Sequence, residues 1–171
     1  IATAGVTIKR CLDPSAGIGA FAETFAKQAG LVDTMEKDLL TARISQALHP
    51  YGEGNIFVQN QPFEAIGEVE DKDRYDLVTS NIPFGDFMVY DRSYTKGKDV
   101  LKSESTRAIH NYFFVKGLDT LKEGGLLAFI TSQGVLDAPR NEPIRRYLMQ
   151  NSRLISAIRL PSGMFSENAG T

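Results

Sequence analysis

The sequence predicts a doubly wound α/β domain on a mostly parallel sheet. Three observations carry that expectation. Short apolar runs alternate with amphipathic stretches of helical length along the whole chain. Glycine, proline and asparagine punctuate the junctions between them. The 171 residues, 42% of them hydrophobic, suit one domain with a sizeable core. Right-handed crossovers between parallel strands then place helices on both faces of the sheet.

The elements follow in order. Residues 6–12 (VTIKRCL) read as a strand, and residues 19–30 (GAFAETFAKQAG) place apolar side chains at helical spacing before a glycine stop. A second strand is expected over 31–36 and an amphipathic helix over 37–49, ended by Pro50. Residues 55–60 and 74–81 give the third and fourth strands. A polar, lysine-rich connection is expected over 85–103 and a long helix with a Gly-Gly exit over 104–125. Residues 126–132 read as the fifth strand, 141–152 as a helix and 154–160 as a sixth strand.

Charge and composition exclude several classes. The net charge of −2, from 19 basic and 21 acidic residues, does not describe a whole-surface nucleic-acid binder, so any such contact is local or supplied by another region. The longest strictly apolar run, residues 126–130, is far short of the roughly 20 residues a membrane helix needs, and no membrane partner is expected. No secretory segment leads the chain, and an intracellular, cytoplasmic location is the expectation. The one cysteine, Cys11, lies in an apolar run and reads as a buried thiol; it can form neither an internal disulfide nor a multi-cysteine metal site. Ile1 is no initiator and the end, SENAGT, resembles no domain finish, so the chain is expected to be a single catalytic domain, residues 1–171, cut from a larger protein.

Open parallel sheets bind ligands at the carboxyl ends of their strands, where strand order reverses. The first strand runs into Asp13-Pro14-Ser15-Ala16-Gly17-Ile18-Gly19-Ala20-Phe21. Glycines there let the backbone approach a ligand and feed a helix N-terminus. Phe21 stands where a dinucleotide fingerprint needs its third glycine, which argues against a nicotinamide cofactor. The second strand ends in Glu36, placed to accept hydrogen bonds from a ribose diol. The third leads into Asn60-Gln61-Pro62-Phe63, where Phe63 is either core or a surface for a nucleobase, and Asn60 or Gln61 offers an amide to an adenine amine.

The fourth strand delivers Ser80-Asn81-Ile82-Pro83-Phe84. The Asn81 side-chain oxygen and the Ile82 carbonyl are acceptors, Pro83 biases Ile82 toward an extended backbone, and Phe84 supplies a flat face. Two acceptors and a ring suit a planar group bearing NH2. The plainer reading is an Asn-Pro turn with Phe84 as a core plug. Between residues 85 and 103 lie Phe87, Tyr90, Tyr94, Lys96, Lys98 and Lys102, which suit either a nucleic-acid-facing lid or a solvated loop. His110 and Asn111, at the start of the long helix, read as structural.

Residues 13–21 and 81–84 resemble the cofactor and catalytic motifs of S-adenosylmethionine-dependent amino-methyltransferases, most closely the DNA adenine (N6) methyltransferases of gamma-type order, found in type I modification subunits and methyltransferase–helicase proteins. Residues 110–137 and 157–171 resemble the segments that follow in that family. The resemblance implies a Rossmann-like class I fold, here lacking the last strand pair and any target-recognition domain. It implies S-adenosylmethionine as cofactor, with Asp13, Pro14, Ser15, Gly17 and Gly19 along its methionine end, Glu36 on the ribose and Phe63 on the adenine. Asn81, Ile82, Pro83 and Phe84 would be the catalytic residues, DNA the partner, and a helicase or specificity region of the same or another protein a further one. The family carries proline where this chain has Ile82, whose carbonyl is retained; the rigidity lost is of the order of 1 kcal/mol. It often has Asp before the aromatic of the third strand, where this chain has Asn60-Gln61-Pro62. Within methyl transfer, an RNA base or a protein glutamine amide fits the same acceptors, and a non-catalytic, degenerate domain is a further alternative. No metal is required by this chemistry.

Overall fold

The computed structural model describes residues 7–67, 71–83 and 85–161. Strands and helices alternate: β1 (Ile8–Asp13), α1 (Ala20–Ala26), β2 (Ala29–Met35), α2 (Leu39–Leu48), β3 (Ile56–Gln59), β4 (Tyr75–Asn81), α3 (Arg92–Lys96), α4 (Val100–Ser105), α5 (Ile109–Thr120), β5 (Leu121–Ile130), α6 (Gly134–Asp137) and α7 (Glu142–Asn151). Among the described residues five strands form one sheet in the order β3-β2-β1-β4-β5, with every pairing parallel.

Strand alternation explains why both faces are covered. Successive side chains of a strand point to opposite faces. Cys11 and Leu77 therefore enter one apolar cluster with Val32, Ala22 and the flank of α1, while their neighbours Leu12 and Val78 enter another with Tyr112, Phe113 and Ile144 from α5 and α7. Cys11 is buried as expected, and burial pushes its thiol up to about 12. From β1 the chain moves outward through β2 and β3, then returns to the other side of β1 for β4 and β5. The reversal falls between β1 and β4, so their carboxyl ends border the binding crevice.

Several boundaries differ from expectation. The helix expected over 19–30 stops at Ala26, because Ala29 and Gly30 already pair with β1; a Cβ on Gly30 would lie 2.8 Å from the Lys9 carbonyl oxygen. The helix expected over 104–125 is two helices followed by strand. Gly124, at φ +76, takes a left-handed backbone, and Lys122 to Gly125 belong to an irregular stretch of β5 in which Leu121 pairs with Tyr75 and Leu126 with Leu77. The connection over 85–103 contains α3 and α4, each capped by an aspartate: Asp91 accepts from the Ser93 amide, and Asp99 from those of Leu101 and Lys102.

The sixth strand expected over 154–160 does not form. Among the described residues that segment pairs with no strand of the sheet, and its Leu154, Ile155 and Ile158 are exposed. An apolar β-branched run becomes a strand only when a neighbour satisfies its ladder and covers its face. Among the described residues no helix is long and apolar enough to cross a membrane.

Candidate active site

The β1–α1 turn and the tip of β4 meet through side chains. Asp13 closes β1 and is 2% exposed. Its Oδ1 accepts from the Ser80 hydroxyl at 2.7 Å and from the Ser15 amide at 3.2 Å. Burial pushes this carboxyl up to about 6, against the pull of the Ser80 and Ser15 hydrogen bonds; the charge of Glu36 raises it further. Ser80 is fully buried and immediately precedes Asn81, so the first and fourth strands are tied one residue before the candidate catalytic turn. Pro14, next to Asp13, is also buried, and Ser15 is half-buried.

The glycines are explained by two different constraints. Gly17 has φ +57, and a Cβ there would meet nothing within 4 Å, so open space lies over this part of the turn. Gly19 has φ +101, and a Cβ there would lie 2.7 Å from His49 Nε2 of the neighbouring helix end. Glu36 follows β2 and ties the turn from the other side. Its Oε2 accepts from the Gly17 amide at 3.0 Å and its Oε1 from the Asp38 amide at 2.7 Å. Each oxygen retains a further lone pair for a diol hydroxyl.

Asn60, just past β3, donates its side-chain NH2 to the carbonyls of Glu36 at 3.0 Å and Lys37 at 3.3 Å. That fixes the amide and leaves its oxygen as an acceptor. Gln61 instead donates to Gln59 Oε1 at 2.6 Å. Phe63 is a correction to the expected adenine contact. Its ring is 2% exposed and packs in the core against Phe113, with centroids 5.0 Å apart, and edgewise against Tyr112. A ring so enclosed offers no open face, and the core alternative describes it.

Asn81 ends β4 opposite Ile130 of β5 and is exposed; its side-chain amide makes no hydrogen bond among the described residues. The Ile82 side chain is buried, so it anchors the turn, with its amide donating to the Ile130 carbonyl at 3.1 Å. Pro83 is half-buried, and Phe84 lies outside the described residues. Beneath the turn sits a buried polar cluster. Asn111 donates to Asn141 Oδ1 at 2.8 Å, and Asn141 donates to the Gly134 carbonyl at 2.7 Å. His110 is buried beside them with Nδ1 3.5 Å from the Gly85 nitrogen, and burial lowers its basicity.

The structure therefore brings Asp13, Ser15, Gly17, Glu36 and Asn81 to one end of the sheet and removes Phe63 into the core. Sequence reasoning missed Ser80. A serine following the Leu77-Val78 pair near the end of a buried strand needs a partner, and that requirement was the available signal.

Residues 14–165 match the family model of the Eco57I restriction-modification methylase. The chain belongs to that family. The match agrees with the resemblance carried by residues 13–21 and 81–84. The chain is also 33% identical over 165 residues to the "Defense against restriction protein B" of Escherichia phage P1, a match covering 96% of this chain and 7% of that protein. It thus spans a small part of the length of that curated relative.

The fold is the Rossmann-like one of class I S-adenosylmethionine-dependent methyltransferases. A protein from Listeria monocytogenes assigned to that class is similar with a TM-score of 0.67 and 19% identity, over 83% of this chain and 45% of that one. P. horikoshii TYW2, solved in complex with MeSAdo, gives a TM-score of 0.51 and 15% identity over 83% of this chain and 46% of that one.

Proposed function

We propose that this domain transfers a methyl group from S-adenosylmethionine to the exocyclic amine of adenine in DNA. One observation carries the reading: the Ser80–Asp13 hydrogen bond holds the glycine turn and the β4 tip together, with the Asn81 amide, which has no partner among the described residues, exposed beside them. Family membership in the restriction-modification methylases supports methyl transfer and a DNA acceptor.

The donor set fits the cofactor. Open space over Gly17 leaves room for a ligand against the turn backbone. Asp13, Pro14, Ser15, Gly17 and Gly19 border the methionine end, and the Glu36 carboxylate faces the ribose hydroxyls. With Phe63 in the core, the side-chain oxygen of Asn60 is the acceptor for the cofactor's adenine amine, in place of the family's Asp. Bound there, S-adenosylmethionine supplies an electrophilic methyl group on a sulfonium.

The chain's own residues act on the acceptor. An adenine amine is a poor nucleophile because its lone pair is delocalised into the ring. Asn81 Oδ1 and the Ile82 carbonyl would accept its two hydrogens and draw the nitrogen toward tetrahedral geometry, which frees the lone pair to form the N–C bond as the methyl's bond to sulfur breaks, the thioether leaving and one amine proton passing to solvent. This is positioning and preorganised electrostatics. Burial of the Ile82 side chain holds its carbonyl in place where the family uses proline. Pro83 keeps that carbonyl directed outward, and Phe84 offers the stacking face. A base must leave the duplex to reach such a pocket, at a cost of roughly a few kcal/mol.

Calorimetric titration with S-adenosylhomocysteine and with NAD tests the cofactor. Binding of the first alone is expected, and binding of NAD alone contradicts the reading. Supplying labelled S-adenosylmethionine with DNA, RNA or protein acceptors then tests the substrate class: label in DNA supports the reading, and label confined to RNA or protein replaces it.

A further inference from the structure

Just past the candidate catalytic turn, three large side chains stand in solvent: Phe87 is 67% exposed, Met88 77% and Tyr90 73%. Contiguous exposed apolar groups of this size mark a contact surface. They do not sit on a loose loop. Val89, between them, is buried, and its amide donates to the Thr106 carbonyl at 2.8 Å. Asp91 is buried and accepts from Tyr112 Oη and from Lys116 Nζ, both at 2.7 Å. At the other end Asp86 pairs with Arg140 at 2.6 Å.

The ledge adjoins the turn that carries Asn81. Gly85 has φ +138, and a Cβ there would lie 2.7 Å from the Phe87 ring, so that ring rests on the Gly85 backbone. Beyond the ledge, residues 92–98 hold Arg92, Lys96 and Lys98 and no acidic residue, and all three are exposed. Aromatic faces followed by cations are the recognition chemistry of single-stranded nucleic acid, where bases stack and phosphates pair with the charges.

We propose that Phe87, Met88 and Tyr90 form a fixed stacking ledge for unpaired DNA nucleotides adjoining the acceptor base, with Arg92, Lys96 and Lys98 along their phosphates. The proposal rests on the reading of the Asn81 site for the position of the acceptor base. It adds that nucleotides beside the extruded base are themselves held unpaired.

The chain contains no tryptophan, so Phe87→Trp introduces a single tryptophan, excited selectively over the six tyrosines, into the ledge. Its emission is expected to be quenched by an adenine-containing single-stranded oligonucleotide and much less by the same sequence as duplex. By fluorescence anisotropy, Phe87→Ala with Tyr90→Ala is expected to weaken single-strand binding about tenfold or more, with the melting temperature unchanged because both side chains are exposed. Emission unmoved at saturating oligonucleotide, equal binding of duplex, or unchanged affinity of the double variant overturns the proposal. So does a concentration-dependent dimer that the double variant abolishes, since the ledge then serves a second copy of the chain. Methyl transfer plays no part in these readouts. Quenching without any transfer overturns the reading of Asn81 and supports the ledge, whereas transfer to DNA with unaltered binding by the double variant does the reverse.

Discussion

The Ser80 hydroxyl donates to Asp13 Oδ1 at 2.7 Å, joining residues 67 positions apart across the strand-order reversal. Both side chains are buried. Ser80→Ala leaves the Asp13 carboxylate short of a partner, and a loss of about 1–3 kcal/mol is expected. Urea unfolding at pH 7 measures it; a loss below a few tenths of a kcal/mol would show that the bond does not hold the two strand ends.

Asp13 also sets a pH dependence whose sign follows from its raised value of about 6 against an ordinary 3.8. The folded protein takes up a proton at higher pH than the unfolded chain. Stability from this group therefore rises as pH falls from about 6 to about 4, and falls again toward neutral pH. Asp13→Asn should remove that slope. The check is the difference between variant and parent unfolding free energies from pH 4 to 7, and parallel curves would contradict the assignment.

Asp91 behaves in the opposite sense. Burial raises its carboxyl, but hydrogen bonds from Lys116, Ser93 and Tyr112 win and hold it at about 2. Its contribution is present above pH 3.8 and is lost as pH falls toward 2, outside the Asp13 window. Asp91→Ala removes the carboxylate that pairs with the buried Lys116 ammonium and should cost about 3–5 kcal/mol. Trypsin cleavage after Arg92, Lys96 or Lys98 should accelerate in that variant, and an unchanged digestion pattern would mean that the ion pair does not hold the connection.

The two glycines of the first turn should respond unequally to alanine. Gly17→Ala carries only the conformational cost of φ +57, about 1 kcal/mol, with open space around the new methyl group. Gly19→Ala adds a 2.7 Å clash with His49 Nε2 to an unfavourable φ of +101. Thermal melts should therefore rank Gly19→Ala well below Gly17→Ala, and equal melting temperatures would contradict the packing described.

Much of this was legible in the chain because parallel strands and their turns are local signals. Asp13, Gly17, Glu36 and Asn81 each stand at or just past the carboxyl end of a segment that reads as a strand, and the strand-end rule brings such positions together without coordinates. What was not legible depends on distant neighbours. Phe63 looks the same in sequence whether it faces a ligand or Phe113. Residues 154–160 are largely apolar and include Ile155 and Ile158, yet among the described residues no strand of the sheet pairs with them. Ser80 gained meaning only when Asp13 stood opposite, and Asp91 only when Lys116 did.

The most direct measurement is nucleoside mass spectrometry of an adenine-containing oligonucleotide incubated with the protein and isotopically labelled S-adenosylmethionine, alongside Asn81→Ala. Labelled N6-methyladenine from the parent, reduced at least a hundredfold in the variant, is the predicted result. Label appearing equally with Asn81→Ala, or on an atom other than the exocyclic nitrogen, would contradict it.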